Sequence, residues 1–345
     1  MATPFPRSLK AMIWLLALLA LGWSAYWVAG SRLVLQGARA ALAQAVAAGR
    51  ADPAELSIAG FPNRFDLTAQ PIVLRSAGNW AEWQAPRIDL YALGWRPNRV
   101  IFDLPAAQRL RLGRLSARLQ VAAARGSVAV GFSPALPLEQ AVLVTGPGEI
   151  RAEAAAAEGP ITAFDSLRLA TRATDATGLR QQLGLEIANL ALPAAVQAQM
   201  GALPARIDRL HADVTVTLPA PIDRAALSGP LPRPQAFEVT DLSLALGPAT
   251  LAASGQLSLG ADGVLDGALQ LEAANWNDLL TLAVASGLVD RDIARTYGRA
   301  LDGLAQLTGA RDGRLQVPLT ISKGFMSLGP LPLGPAPRLP PAQGL

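Results

Sequence analysis

The stretch "RLRLGRLSARLQV", residues 109–121, decides the fold class, because its leucines alternate with polar residues, mostly arginines, at a period of two. The leucines before Gly113 occupy one phase, the glycine shifts that phase by one, and the alternation then continues to Val121. Alternation over this length is typical of β-strands with one apolar and one polar face. The stretch therefore predicts a sheet with one apolar face and one basic face.

Period-two runs of the same kind recur along the chain. They are "RIDLYALGW" (87–95), "SVAVGF" (127–132), "RIDRLHADVTVTL" (206–218), "DLSLAL" (241–246), "LAASGQLSLG" (251–260) and "VLDGALQLEA" (264–273). Short connections rich in Gly and Pro join the later runs, which favours an antiparallel meander of sequential strands. We therefore predict a mainly β fold, a β-rich α+β class, built on a curved antiparallel meander sheet.

One long segment departs from the period of two. Residues 275–309 carry apolar side chains at three-to-four spacing, which predicts a C-terminal helical hairpin whose apolar stripe packs against the sheet. Asn277 and Asp290 are the candidate N-terminal caps of its two helices. A shorter stretch, "PAAVQAQMGAL" (193–203), predicts one more short helix.

The N-terminal region contains an uncharged segment, "AMIWLLALLALGWSAYWVAG" (11–30), that follows Arg7 and Lys10. About twenty apolar residues match the hydrocarbon thickness of a bilayer, so the segment predicts a transmembrane helix. The basic residues before it favour a cytoplasmic N-terminus, with the body of the protein on the far side. We therefore expect a single-pass inner-membrane protein whose body lies in the periplasm.

A cleaved secretory signal is the alternative interpretation of this segment. Val28, Ala29 and Gly30 would form the small-residue cleavage site. The bulky rings of Tyr26 and Trp27 so close to that site favour an uncleaved anchor, and such rings settle at the headgroup level of a membrane. The body is exported under either interpretation.

The chain divides into segments of different composition. They are a cytoplasmic tail (1–10), a transmembrane anchor (11–30), a helical stem (31–50), an N-terminal β region (54–218), a Pro-rich connection (219–234), a C-terminal β region (235–335) that includes the helices, and a Pro-rich tail (336–345). Prolines cannot donate hydrogen bonds inside a sheet, so the connection separates either two domains or two halves of one sheet.

The stretch "GFPNRFDL" (60–67) has the composition of a turn. Pro62 and Asn63 are favoured at the two central turn positions, and alternating runs flank them. We expect a hairpin in which Arg64 and Asp66 pair on one face of the outgoing strand while Phe65 faces inward. A contact with a lipid headgroup or a partner is the alternative role of this pair.

Composition excludes several classes of chemistry. The chain has no cysteine, so a disulfide framework, a thiolate metal site and a cysteine nucleophile are excluded, and its one histidine, His211, disfavours histidine-based metal or triad chemistry. A formal charge of +4, almost wholly from dispersed arginines, does not indicate nucleic-acid binding. No convergent polar constellation predicts a catalytic residue. We therefore expect a protein that is not an enzyme and that uses no cofactor or metal.

Several stretches together resemble a known bacterial family. They are "SAYWVAG" (24–30), "LSIAGFPNRFDL" (56–67), "WAEWQAPRIDLYALGWRPNRVI" (80–101) and "DGRLQVPLTISKGFMSLGPLPLGPAP" (312–337). With the charged N-terminus they look like an uncharacterised family of membrane-anchored envelope proteins, domain of unknown function 2125. That family has no established activity, so this resemblance implies no site residue.

The C-terminal third is similar to a second group of proteins. The cadence of "ASGQLSLGADGVLDGALQLEAANWNDLL" (253–280) resembles AsmA-like envelope proteins, which are implicated in phospholipid transport and envelope homeostasis through a bent sheet with an apolar groove. The similarity lies in the spacing of the predicted strands and in the glycines of the turns between them. It implies binding of a lipid or another hydrophobic ligand.

Two groups of residues are the candidate sites. Five inward leucines would border an apolar groove that holds an acyl chain: Leu244, Leu257, Leu259, Leu269 and Leu271. Seven arginines between residues 96 and 125 fall on one predicted sheet face, and four of them are the candidate contacts for anionic headgroups: Arg109, Arg111, Arg114 and Arg118. The alternatives are a closed core for the leucines, a solvated face for the arginines, and a non-catalytic structural or assembly scaffold as the function.

Overall fold

The computed structural model describes residues 7–154, 157–227, 232–308 and 314–338. Its helices are α1 (Arg7–Ala47), α2 (Ala194–Met200), α3 (Trp276–Ala285) and α4 (Arg291–Thr308). Its first strands are β1 (Glu55–Ala59), β2 (Arg64–Gln70), β3 (Ile72–Arg75), β4 (Ala81–Ala85), β5 (Ile88–Leu93), β6 (Arg96–Leu104), β7 (Ala107–Leu112), β8 (Leu115–Val121), β9 (Ala124–Val130), β10 (Leu138–Thr145), β11 (Gly148–Ala154), β12 (Ala157–Phe164) and β13 (Ser166–Ala173). The later strands are β14 (Arg180–Ala191), β15 (Arg206–Thr217), β16 (Ala236–Leu246), β17 (Ala249–Leu259), β18 (Leu265–Ala274), β19 (Arg314–Ser322), β20 (Phe325–Leu328) and β21 (Leu331–Pro335). The predicted mainly β class is confirmed.

The predicted anchor and stem form one unbroken helix, α1. From Ala11 to Ala47 this helix is long and apolar enough to cross a membrane, judged by length and composition. Large side chains along its first half, such as Trp14, Leu18 and Leu21, are exposed. The predicted tails at residues 1–10 and 336–345 lie partly outside the described residues.

Within the described residues the strands form two antiparallel sheets. The large sheet contains fifteen strands in the order β1-β2-β5-β6-β9-β10-β13-β14-β15-β16-β17-β18-β19-β20-β21, and the small sheet contains six in the order β3-β4-β7-β8-β11-β12. Each strand pairs with a strand next to it in sequence or with one that follows an excursion into the other sheet. The meander is therefore confirmed for the large sheet, and the small sheet is an addition to it.

The chain crosses between the two sheets within one or two residues. Pro71 separates β2 from β3, Pro86 follows β4, Pro105 follows β6, and Gly146 and Pro147 separate β10 from β11. A proline has no N–H to donate to a sheet ladder, so pairing stops at each of these positions and resumes in the other sheet. The two sheets therefore meet where the chain crosses between them, and we call this junction the corner.

Each sheet has one apolar and one polar face. Residues directly opposite each other on antiparallel strands share a face, and Leu143, Leu169 and Leu185 are in register across β10, β13 and β14. The opposite face carries the register pair Arg168 and Glu186. The alternation that predicted the strands therefore produces an apolar face that continues from strand to strand.

Several clusters cover parts of the apolar face. At the corner, Ala69, Ile72 and Ala85 form one cluster, and Val121, Ala124 and Phe164 form another. Farther along the large sheet, α2 and α3 pack over the ends of β14 to β17, and α4 packs over β19. The stretch between the corner and the helices is left partly open, because Leu169 and Leu183 keep 41% and 42% of their surface exposed.

The phase shift at Gly113 is a turn. Gly113 adopts a φ of 58° between β7 and β8, and Leu112 lies opposite Leu115. The leucines on both sides of the glycine therefore share one face of the small sheet, as their alternation predicts.

The helical hairpin forms as predicted, with one correction to its caps. The Asp290 carboxylate accepts a hydrogen bond of 2.8 Å from the backbone N–H of Asp292 and caps α4. The prediction of Asn277 as the other cap is wrong, because α3 begins at Trp276 and Asn275 occupies the cap position. Asn275 has a φ of 50° and donates its side-chain amide to the carbonyl of Pro248, which ties the start of α3 to the sheet.

The Pro-rich connection joins two neighbouring strands of one sheet. β15 and β16, on either side of residues 219–234, pair in register from Arg209 opposite Ala245 to Thr217 opposite Ala236. Residues 228–231 of this connection lie outside the described part of the chain. The large sheet therefore continues across the connection without a break.

Candidate functional site

An apolar groove lies on the partly open stretch of the large sheet. It has a volume of about 590 Å³, and we define it by its lining residues: Phe102, Ala141, Val142, Leu143, Leu169, Ala170, Thr171, Leu183, Gly184, Leu185, Ala212, Val214, Val216 and Phe237. They come from six strands, β6, β10 and β13 to β16. The alternation of each strand supplies one to three apolar side chains, and the pairing register brings them together on one surface.

Two details shape the groove. A Cβ atom on Gly126 would lie 2.2 Å from the ring of Phe102, so the glycine leaves room for this ring beside β9. At the other side, the almost fully buried Gln181 accepts a hydrogen bond from Thr171 and donates one to the carbonyl of Leu138. The buried amide is thereby satisfied, which matters because an unpaired buried polar group is costly.

The five predicted leucines lie on the same apolar face but beside the groove. Pairing places Leu257 opposite Phe237, which lines the groove, while Leu259 faces Leu265 at the strand end. Leu244 packs against the helical cluster of α2 and α3, and Leu269 is buried at 8% exposure. Leu271 lies opposite Ala253. Their role in ligand binding stays a prediction.

The four predicted headgroup arginines lie on the small sheet. Arg109 and Arg118 both pair with Glu153, and Arg111 pairs with Glu82 at 3.1 Å, while Arg114 lies in the turn after Gly113. The hydrogen bond from Arg118, and then the attraction of Arg109, hold the pKa of Glu153 below its usual range. These carboxylates compete with any anionic headgroup for three of the arginines.

Glu82 is the centre of a second ion-pair group on this face. Burial raises the pKa of Glu82, but the hydrogen bonds from Arg75 and Arg111 outweigh that effect, so the pKa is lowered overall. Arg75 also donates to both oxygens of Asp52 at 2.7 and 3.0 Å. The arrangement ties the start of the β region to the small sheet, and headgroup contact by its arginines stays a prediction.

The seven arginines between residues 96 and 125 do not share one face. Arg109, Arg111 and Arg118 belong to the small sheet, whereas Arg96, Arg99 and Arg125 belong to the large sheet. The expectation of a single basic face is wrong because the chain changes sheet at Pro105 and again after β8. The prolines between strands indicate where strands end, but they do not distinguish an ordinary loop from a change of sheet.

A second concavity lies on the polar face of the large sheet, and we call it the arginine cleft. It has a volume of about 820 Å³ and is lined by Arg64, Tyr91, Ala92, Leu93, Arg96, Arg99, Val100, Ile101, Asp103, Arg125, Ser127, Val128, Ala129 and Gln140. Arg64 pairs with Asp66 at 2.8 Å, as predicted, and Arg125 pairs with Asp103 at 2.6 Å. The sequence pattern did not predict this cleft.

The charge states of the cleft residues follow from their pKa shifts. The hydrogen bond that Arg125 donates to Asp103 raises the pKa of that guanidinium. Burial, followed by the charges of nearby aspartates, raises the pKa of Tyr91, so its phenol stays neutral at physiological pH. Arg64 lies 5.6 Å from the centre of the Tyr91 ring, within the range of a cation–π interaction.

The edge of the cleft is attached to α1 by three hydrogen bonds. Trp23 donates to the carbonyl of Pro62 at 2.9 Å, Tyr26 donates to that of Gly94 at 2.7 Å, and Trp27 donates to that of Arg64 at 2.7 Å. Two hairpin turns, at residues 60–64 and 93–96, therefore lie beside the C-terminal end of the apolar segment. The predicted turn at 60–67 is confirmed, and its contact with α1 was not predicted.

His211 is placed away from any metal-binding arrangement. Its Nε2 lies 3.7 Å from Asp241, and its Nδ1 is buried without a hydrogen-bond partner. No group of three or more His, Asp or Glu side chains in the described part of the chain is positioned to hold a metal ion. The expectation that the protein is not an enzyme stays a prediction.

Comparison with known proteins identifies a family. No curated protein and no solved structure matches this chain. The AsmA-like resemblance of the C-terminal third is not among the matches and stays a prediction. The family described as "Uncharacterized protein conserved in bacteria (DUF2125)" matches residues 27–337, which is most of the chain. The chain therefore belongs to this bacterial family, as its sequence stretches indicated.

Proposed function

We propose that this is a membrane-anchored, non-catalytic envelope protein that binds the acyl chain of a lipid, or a similar hydrophobic ligand, in the apolar groove. The observation that carries the proposal is the groove itself, with Leu169 and Leu183 more than two-fifths exposed on a face that is otherwise covered. Exposed apolar patches of this kind mark ligand, partner or membrane contacts. The volume of about 590 Å³ falls in the range of small-molecule sites.

The energetics suit an acyl chain. Each buried methylene contributes about 0.8 kcal/mol, so ten of them would supply roughly 8 kcal/mol before the entropy of ordering the chain is subtracted. The groove offers almost no polar partner, since Thr171 is the one hydroxyl among its lining residues and its hydroxyl already binds Gln181. An apolar ligand is therefore preferred over a polar one.

The orientation follows from the N-terminal charges. Arg7 and Lys10 precede the apolar segment, and positive charge before a first span favours a cytoplasmic N-terminus. We propose that the chain is a single-pass inner-membrane protein with its body in the periplasm. An alkaline phosphatase fused after residue 345 should then be active in intact cells, and an inactive fusion on a stable, full-length chain would reverse the orientation.

A structural or assembly scaffold is the second candidate function. The buried Leu269 and the packing of Leu244 against the helical cluster favour it, since they show that much of the apolar face is closed. A scaffold needs this face filled by the protein itself. The two candidates therefore differ in whether the open stretch of the face takes a ligand.

Glutamate substitutions on the apolar face separate the candidates. We expect Leu169→Glu and Leu257→Glu in the full chain to lower copurified phospholipid about tenfold, because a charge beside the ligand costs more than about 1.4 kcal/mol. Gln256→Glu, which adds the same charge on the exposed polar face next to Leu257, is the matched control and should retain lipid. Lipid around α1 is common to all variants, so the difference reports the groove.

The opposite result has a clear form. If the wild-type chain carries no more lipid than the two variants, or if both variants unfold by circular dichroism while Gln256→Glu remains folded, the apolar face is a closed core. The scaffold function then replaces lipid binding.

A further inference from the structure

We propose that the arginine cleft binds the phosphate headgroup of an anionic phospholipid in the outer leaflet of the membrane that α1 spans. This inference rests on the membrane anchoring in the proposed function and is independent of the apolar groove, because the cleft lies on the opposite face of the large sheet. The polar face of β2, β5, β6 and β9 forms its wall.

The position of the cleft next to the apolar segment of α1 supports this proposal. Trp23, Tyr26 and Trp27 belong to the apolar segment 11–30, and their ring N–H and O–H groups bind the backbone of the two hairpin turns. A turn bonded to the outer part of a span lies at the level of the lipid headgroups, where such amphipathic rings are enriched. The end of the cleft next to the turns therefore faces the bilayer surface.

Exposed apolar side chains on the two turns also support the proposal. Phe61 and Trp95 are each 57% exposed, and Leu93 is 40% exposed. Trp27 holds Phe61 edge-on with ring centres 5.4 Å apart, so the turn keeps a fixed position against the helix. Exposed aromatic side chains at this height are placed to enter the interfacial region of the membrane.

The charges of the cleft arginines are also suited to an anionic ligand. Arg64 and Arg125 are neutralised by Asp66 and Asp103, whereas Arg96 and Arg99 form no ion pair with a described residue. Arg96 begins β6 two residues after Gly94, which accepts the hydrogen bond from Tyr26. Arg96 and Arg99 are therefore the cleft arginines whose guanidinium groups are available to an anionic headgroup.

The strand pairing keeps both arginines close to the turn. Leu93 lies opposite Arg96 and Ala92 lies opposite Val100, so residues 97–99 form a bulge beside the turn instead of a straight strand. Arg99 therefore stays near the turn that Tyr26 binds. The guanidinium fork suits a phosphate, because it can donate two parallel hydrogen bonds.

The test uses the full chain in detergent micelles, with lipid binding measured by native mass spectrometry. The probes are phosphatidylglycerol, phosphatidylcholine and inorganic phosphate. We expect tighter binding of phosphatidylglycerol than of phosphatidylcholine, and Arg96→Gln with Arg99→Gln should weaken phosphatidylglycerol binding about 30-fold, at about fivefold for each arginine. Binding of phosphatidylcholine should not change.

Two further variants act as controls. Arg168→Gln with Arg291→Gln removes the same charge from exposed positions on β13 and at the start of α4, and it should preserve the phosphatidylglycerol preference. Arg96→Lys with Arg99→Lys keeps the charge and should restore most of the preference. The lysine pair also shows that the glutamine pair acts through charge and not through loss of folding.

Several outcomes would overturn the proposal. Equal losses in the cleft pair and in the control pair would assign the effect to overall charge. Displacement of phosphatidylglycerol by millimolar inorganic phosphate would assign the cleft to a soluble phosphate ligand. Release of the wild-type chain from membranes by alkaline carbonate would instead remove the anchor on which the inference rests, whereas a membrane-retained chain without lipid preference would refute the cleft alone.

Discussion

Trp27 connects the candidate anchor to the β body through both a hydrogen bond and ring packing. Its indole N–H binds the carbonyl of Arg64, and its ring stacks on Phe65 with centres 6.3 Å apart. Gly30, one turn further along α1, lies against the same phenylalanine, since a Cβ there would approach the ring to 2.8 Å. Phe65 is thus buried by the helix and not only by its own sheet.

Replacement of Trp27 should weaken this junction. We expect Trp27→Ala to lower the free energy of unfolding of the body by about 1–3 kcal/mol, since it removes one hydrogen bond and the cover of Phe65. Denaturant titration of the full chain in detergent, followed by circular dichroism of the β signal, measures the change. Trp14→Ala is the matched control, because Trp14 is 71% exposed on the same helix and should have no effect on the body. Equal stability of the two variants would show that α1 does not support the body.

At the scale of elements, the corner and the helices decide which part of the apolar face is covered. The prolines between consecutive strands of different sheets mark where the chain crosses the corner, and α3 and α4 cover the far end of the large sheet. Within this cover, Leu301 packs on Leu315 and Val317, and the indole N–H of Trp276 binds Asp302 at 3.0 Å. Apolar packing therefore holds the helical hairpin against the sheet, and a hydrogen bond joins its two helices.

Leu301→Ala tests the packing of α4 on β19. Leu301 is 8% exposed, and loss of a buried leucine leaves a cavity, so the free energy of unfolding should fall by about 2–5 kcal/mol. Leu288→Ala, in the loop between α3 and α4 at 80% exposure, should change stability by less than about 0.5 kcal/mol. Thermal melts of both variants give the comparison. A Leu301→Ala protein as stable as Leu288→Ala would mean that α4 does not pack on β19.

The elements were predictable from local pattern, but their assignment to two sheets was not. Alternation around Gly113 identifies β7 and β8, because period two fixes which side chains share a face. The same alternation serves either sheet, and a proline such as Pro105 marks an ordinary loop as readily as a crossing between sheets. The lining of the groove was not predicted for this reason: its residues come from strands as distant in sequence as β6 and β16.

The cap of α3 shows a further limit of local pattern. Asn277 and Asn275 are both suitable cap residues, and the choice between them depends on a contact between Asn275 and Pro248, which lies in the turn before β17. Contacts over this distance in sequence are not encoded in the pattern around the helix. The cap of α4, in contrast, depends on Asp290 and a backbone N–H two residues away, and it was predicted.

The whole molecule combines a candidate anchor, a polar cleft next to that anchor and an apolar groove on the opposite face of the large sheet. The fifteen-stranded sheet within the described residues separates the two sites, since each strand sends alternate side chains to opposite faces. Our central claim is that an acyl chain lies in the groove and not on the polar face.

Photo-crosslinking in intact cells tests this claim most directly, with a photoreactive amino acid at residue 169 or at residue 168. Leu169 is 41% exposed on the apolar face of β13, and its neighbour Arg168 is exposed on the polar face of the same strand, so the two positions differ in little except direction. After irradiation and purification, mass spectrometry identifies the adduct. We expect a phospholipid adduct at residue 169 and none at residue 168. A folded chain without lipid at residue 169, or with equal lipid at both positions, would contradict it.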